Sequence, residues 1–112
     1  LTNELLTRNP ADARAMGDKA IALSRMDRAA EARDVALDAV RLAPENHRLH
    51  LILLQVQRET KTPREDLIAY GTEQAQKHPG DPRFELVAGL AFAMADDLEQ
   101  AKGWMRQAAS RP

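Results

Sequence analysis

The chain contains no cysteine. That absence removes disulfides, thiol catalysis and zinc–thiolate sites, and it suits cytosol and periplasm alike. Aromatic residues make up only 4% of the 112, too few for the bulky core of a β-sandwich. Strand formers are sparse as well, with valine at 35, 40, 56 and 87 and isoleucine at 21, 52 and 68. A formal net charge of −1 gives no global attraction to nucleic acid or to anionic membranes, so nucleic acid is not an expected partner. The longest uncharged run, Leu86 to Ala95, is about half of the roughly 20 residues a membrane-spanning helix needs. Direct membrane insertion of this segment is therefore not expected.

Catalytic signatures are missing too. The sequence has no glycine-rich phosphate loop, no P-loop lysine and no Ser–His–Asp ordering. The paired carboxylates Glu65-Asp66 and Asp96-Asp97 fall in turns at helix starts, where capping accounts for them. No catalytic residue is expected. His47 and His50 stand at the i, i+3 spacing that can share a metal, but no further ligand joins them, so neither a metal site nor a cofactor is expected. His78 reads as a cation at a helix C-terminus, where it favours the dipole.

What is present is a folded, helical composition: 44% hydrophobic and 29% charged residues, with abundant alanine. Small residues in the core mean closely approaching helices, and the fold class read from this is all-α. The prolines carry a period. Pro10, Pro44, Pro79 and Pro112 lie 34, 35 and 33 residues apart, each after an apolar, alanine- or leucine-bearing segment, and each is read as the end of a helix. Between prolines the chain divides into helix pairs. The first runs from Asp12 to about Arg25, breaks at Met26-Asp27 and resumes to about Leu42, with Asp12 and Asp27 as expected N-caps. The second runs from about Asn46 to Glu59, breaks at Thr60-Lys61 and restarts at Thr62-Pro63-Arg64-Glu65, a capping-box pattern. The third starts at Asp81-Pro82, runs to Ala95, and turns at Asp96 into a helix capped by Asp97 with Gln100 as its reciprocal partner.

These units resemble tetratricopeptide repeats, whose pattern is W-x2-L-G-x2-Y, then A-x3-F, then P. In the third unit Ala88-Gly89 and Phe92 stand for the first element, Ala101 and Met105 for the second, and Pro112 for the proline. Met16, Ala20, Leu23, Ala32, Ala36 and Pro44 take those places in the first unit, and Leu53-Leu54, Leu67, Gly71 and Pro79 in the second. Lys19, Gln57 and Glu85 depart from it, standing where the family usually has an apolar residue. The resemblance implies a right-handed α-α superhelix: residues 1–9 as the remnant second helix of a preceding repeat, then hairpins over 12–44, 46–79 and 81–112 in one array. No hairpin buries its own apolar face alone, so the units are expected to stack.

Carrying the family's groove positions onto this sequence implies a lining of Arg14, Gly17, Ile21, Ser24 and Arg25 from the first unit. Arg48, Leu51, Gln55, Arg58 and Glu59 follow from the second, then Arg83, Leu86, Leu90, Ala93 and Met94 from the third. Arg14, Arg48 and Arg83 recur at intervals of 34 and 35 residues, which reads either as a ladder of bidentate anion-binding groups or as solvated surface. The Lys–Asn clamp for a peptide carboxylate is not supported, because Gly17 and Ile21, Leu51 and Gln55, and Leu86 and Leu90 occupy its places. The function implied is a non-enzymatic scaffold that holds another protein, as a peptide segment or a domain, in a concave groove. The alanine- and arginine-rich repeats also look like the periplasmic scaffold of bacterial exopolysaccharide secretion, of Pel or cellulose type. Such a scaffold recruits polysaccharide-modifying enzymes. With Leu1 rather than methionine at its start, the chain then reads as a periplasmic segment of a larger envelope protein.

Overall fold

The computed structural model describes residues 10–111, and the remnant helix expected over residues 1–9 and the terminal Pro112 lie outside them. Six α-helices account for most of the described chain, with no strand among them: α1 Pro10–Arg25, α2 Ala29–Leu42, α3 His47–Glu59, α4 Arg64–Lys77, α5 Pro82–Met94 and α6 Leu98–Ala109. The all-α reading holds. No described helix is long and apolar enough to cross a membrane. The chain divides into two compact units, residues 1–60 and 61–112. Their boundary falls within the segment read as the second hairpin.

In the first unit α1 packs antiparallel against α2, and α3 packs on both. The α2 stripe is Ala32, Ala36 and Ala39, at i, i+4 and i+7, none more than 1% exposed. Methyl-sized side chains let the helix backbones approach closely. The bulk comes from α3, where Leu49, Ile52, Leu53, Leu54 and Val56 are all buried. Ala20 and Ala32, read as the close-approach pair of this hairpin, are both fully buried. His50 is buried with them, and its Nε2 lies 2.8 Å from the Pro44 carbonyl oxygen. A carbonyl can only accept, so Nε2 carries the proton.

In the second unit α5 lies against both α4 and α6. One helix serving two neighbours has to be apolar on most sides, which is why residues 86–95 carry no charge. Val87, Ala88 and Ala91 meet α4 at Gly71, and Gly89 meets α6 at Ala101, Trp104 and Met105. Gly89 therefore closes onto Ala101 as the spacing implied. Phe84, at the start of α5, is 1% exposed, and its ring stacks on His78 at 3.6 Å between centroids.

The turns repeat. Asp27, Lys61 and Asp96, which lie 34 and 35 residues apart, all adopt left-handed φ of 59°, 61° and 63°. At the first and third, the amide two residues past the helix cap bonds back to the helix: Arg28 N to Leu23 O at 3.0 Å and Asp97 N to Phe92 O at 2.9 Å. This is the Schellman closure, which needs a left-handed residue after the cap. The intervening breaks repeat as well. Ala43 and His78, 35 residues apart, end α2 and α4 with matching dihedrals, and each precedes a proline. Asn46 and Asp81, also 35 apart, cap α3 and α5 by accepting from the amides of Arg48 and Arg83.

Several helix starts differ from the reading. Asp12 lies in the first turn of α1 rather than at its cap, and Pro10 opens that helix, a position that needs no amide proton. Asp27 is the left-handed turn residue, so the cap passes to Arg28, which makes no side-chain cap bond. Arg28 instead pairs with Glu31. Pro63 is the cap of α4, again without a side-chain cap bond, and Thr62 does not take that position. The Asp81-Pro82 start and the Asp97 cap are as expected, with Asp97 accepting from the Gln100 amide at 3.2 Å, but the reciprocal bond from Gln100 is not formed, because the Asp97 amide is given to Phe92 O.

Glu85, one of the departures from the apolar pattern, is 2% exposed. Its carboxylate accepts from Arg111 Nε at 3.1 Å and Nη2 at 2.7 Å, and from the Gln107 amide at 2.5 Å. A buried carboxylate is tolerated only when paired in this way. The Arg111 guanidinium, helped by Gln107, outweighs burial and holds the Glu85 carboxyl below its ordinary value of 4.5. The folded chain thus binds this proton less readily than the unfolded chain. The stability it contributes is complete above about pH 4.5 and is lost as pH falls through the lowered value. Denaturant midpoints followed by the single tryptophan, Trp104, should fall in that acid range, and an Arg111→Ala variant should show a shallower fall. Equal acid sensitivity in the two proteins would contradict this assignment.

Candidate binding face

The first helices α1 and α3 of the first unit carry the implied groove residues. On α1, positions 14, 18, 21 and 25 fall on one stripe, and on α3 positions 48, 52, 55 and 59 do the same. Two side-chain bonds tie the stripes together. Arg48 Nη2 donates to Asp18 at 3.0 Å, and the Ser24 hydroxyl donates to Glu59 Oε2. Between these ties lies a pocket of about 200 Å³, lined by Ile21, Ser24, Arg25, Ile52, Gln55, Val56 and Glu59. Ile52 and Val56 are buried, Ile21 and Ser24 half-buried, and Arg25, Gln55 and Glu59 exposed at the rim.

The structure therefore brings Ile21, Arg25 and Gln55 together, with Ser24 and Glu59 from the wider lining. Ile52 and Val56 were not assigned a site role by the sequence reading. Their signal was the i+4 and i+8 spacing from Arg48. Arg14 is exposed at the start of the α1 stripe, while Leu51 is half-buried and Arg58 exposed on α3, all three outside the pocket lining. Gly17 is buried, and a side chain there would meet Leu49 and Ile52. It belongs to the helix contact and does not line an open surface.

Two of the three periodic arginines share a local setting. Arg48 and Arg83 both stand two residues after an Asx cap and give it their backbone amide. Their guanidinium groups are used differently. Arg48 reaches Asp18, whereas Arg83 folds onto its own cap, with Nε and Nη2 at 3.1 and 2.9 Å from the Asp81 carboxylate. That bidentate pair holds the Asp81 carboxyl below the usual range. Both pairs are at the surface, where such bonds contribute little stability.

In the second unit the residues of α5 from Leu86 onward, with its C-cap Ala95, sort by burial. Val87, Ala88, Gly89, Ala91 and Ala95 are buried, Leu90, Phe92, Ala93 and Met94 are half-buried, and Leu86 is 43% exposed. Leu86, Leu90, Ala93 and Met94 form a stripe at i, i+4, i+7 and i+8, which is a helix face turned away from the α4 and α6 contacts. Among the described residues, no three histidines, aspartates or glutamates gather to hold a metal ion. His47 is half-buried and His50 is buried, with its Nε2 given to Pro44. No protein-family model matches the chain, and no curated protein matches it.

Proposed function

We propose that the chain is a run of tetratricopeptide-like hairpins in a right-handed superhelix, and that it acts as a non-enzymatic scaffold holding another protein on its first-helix faces. The observation that carries this reading is the recurrence of one backbone geometry at 34–35 residues, in the left-handed residues Asp27, Lys61 and Asp96 and in the caps Asn46 and Asp81. Repeated helical units present successive first-helix faces, which suit extended contact with a partner chain. The faces supply both kinds of contact: a polar-rimmed pocket on α1 and α3, and an apolar stripe of Leu86, Leu90 and Met94 on α5.

Of the implied groove arginines, Arg14, Arg25 and Arg58 are the ones available for orientation and on-rate. Among the described residues none of the three has an ion-pair partner, whereas Arg48 and Arg83 are engaged. The test is a double variant, Arg25→Glu with Leu86→Asp, at two exposed positions that leave the cores intact. Affinity for a protein partner captured from the producing cells should fall at least about tenfold, the loss of roughly 1.4 kcal/mol. Unchanged affinity would contradict the reading. If the captured partner is a polysaccharide-modifying enzyme, the scaffold belongs to exopolysaccharide export.

A further inference from the structure

The chain already contains one contact between a hairpin and a third helix. In the first unit α3 packs on α1 and α2. Its Leu49 and Ile52 reach Gly17, and Leu49, Ile52, Leu53 and Val56 are buried. Both sides of that contact recur elsewhere in the chain. The left-handed residues Asp27 and Asp96, with their matched Schellman closures, set α5 and α6 in register with α1 and α2 at an offset of 69 residues. Asp27 and Lys61 set α3 in register with α1 at an offset of 34.

The hairpin side recurs on α5 and α6, where Leu86, Leu98 and Met105 stand for Gly17, Ala29 and Ala36. Ala36 is 1% exposed, but Leu86, Leu98 and Met105 are 43%, 60% and 41% exposed. The three form one surface. Met105 lies against α5 at Gly89, three residues from Leu86. Leu98 is two turns before Met105 on the same edge of α6. Gln107 and Arg111 tie the opposite edge to Glu85, so Leu98 and Met105 occupy the edge beside Leu86.

The third-helix side recurs on α1. Ala15, Asp18, Lys19 and Ala22 stand for Leu49, Ile52, Leu53 and Val56, and all four are exposed. Size is exchanged between the two sides. Leu49 meets Gly17 within the first unit, and the counterpart pair is Ala15 and Leu86. The hairpin surface has grown where the helix has shrunk, which conserves the packed volume. Lys102, exposed between Leu98 and Met105, offers a cation to Asp18.

We infer that a second copy of this chain docks head to tail, the Ala15–Ala22 face of its α1 seated on α5 and α6. This goes beyond the scaffold reading and does not rest on it. The contact is heterologous, so each added copy presents a fresh α5–α6 surface. Three large apolar side chains fall short of the roughly 800 Å² per partner of a standard interface. The association is therefore weak, with Kd on the order of 100 μM.

The experiment is sedimentation equilibrium of the whole chain from about 10 μM to 1 mM, a range that brackets this Kd. The average mass should climb from the 12.5 kDa of one copy past that of a dimer. Met105→Glu blocks the α5–α6 surface, and Leu98→Glu is a second variant of the same surface. Ala15→Glu with Ala22→Glu blocks the α1 face. All of these positions are exposed, and each variant should keep the wild-type dichroism and sediment as a monomer. Mixed in equal parts, a variant of each face should form a dimer and nothing larger, because each supplies the surface that the other lacks. A wild type that stays monomeric at 1 mM, which leaves the surface to a different protein, would overturn the inference. So would blocked variants that associate like the wild type, or a mixture that stays monomeric, as a contact of like faces requires. The substitutions avoid Gln55, Arg25 and Leu86, so failure here leaves the scaffold reading to its own test.

Discussion

Replacing Phe84 with alanine is expected to lower the unfolding free energy of the second unit by about 3–5 kcal/mol, the largest effect of any single change considered. Phe84 is 1% exposed and heads the fully buried side chains by volume. It lies in the first turn of α5, next to the Asp81 cap, and its ring is stacked at 13° on His78, the residue that ends α4. Truncation removes the buried ring, leaves a cavity beside two helix ends and strips His78 of its stacking partner. A Phe84→Leu variant keeps most of the volume and should lose far less, about 1–1.5 kcal/mol. Trp104 lies in the same unit, so its fluorescence in a urea titration reports the change as a shifted midpoint with an unchanged slope. A loss below about 1 kcal/mol for Phe84→Ala would show that the ring is not a core anchor.

The second large effect is at a glycine. A methyl group added at Gly71 would come within 2.4 Å of the Ala91 Cβ and 3.2 Å of the Ala88 Cα and Val87 oxygen. None of those atoms can rotate away, so α4 and α5 must separate. Gly71→Ala should cost about 2–3 kcal/mol by overpacking, although alanine is the better helix former by about 1 kcal/mol. Two other helical glycines serve as controls. At Gly17 the new methyl would meet only side-chain tips, Leu49 Cδ2 at 2.8 Å and Ile52 Cδ1 at 3.2 Å, which can turn, so the cost should stay below about 1 kcal/mol. At Gly103 nothing lies within 4 Å, and the same substitution should stabilise by about 0.5–1 kcal/mol. Far-UV dichroism melts of the three variants should rank them Gly103, Gly17, Gly71 from most to least stable. A Gly71 variant as stable as the Gly103 variant would contradict the close approach of α4 and α5.

Much of the helical pattern was legible because it depends on local signals. Proline after Ala43 and His78, the Asp81-Pro82 start and the Asp97 cap each act within a few residues of themselves, and the structure follows them. The small residues Ala20, Ala32, Gly89 and Ala101 were readable from spacing, since close approach demands them wherever two helices meet. Asp27 misled because aspartate is a good cap and also tolerates the left-handed region, and the turn used the second property. Gly17 was placed on a surface by its position in the pattern, whereas its role is set by Leu49 and Ile52 on another helix.

The candidate face was less legible for the same reason. Arg48 meeting Asp18, Ser24 meeting Glu59 and Arg111 meeting Glu85 are pairings over 30, 35 and 26 residues. No periodicity announces such partners. The uncharged run from Leu86 to Ala95 announced a helix with several neighbours, and the structure supplies two of them in α4 and α6. The remaining stripe of Leu86, Leu90, Ala93 and Met94 is the surface the scaffold proposal uses.

The most direct test of the scaffold proposal is a photo-crosslinking map in the cells that produce the protein. A photoreactive residue is placed in turn at Gln55 on α3 and Leu86 on α5, and at Asp38 on α2 and Arg106 on α6, all four exposed. The proposal predicts that one protein partner is captured from Gln55 and from Leu86, and that Asp38 and Arg106 capture it weakly or not at all. Capture of the same partner from Asp38 or Arg106 but not from Gln55 and Leu86 would contradict it.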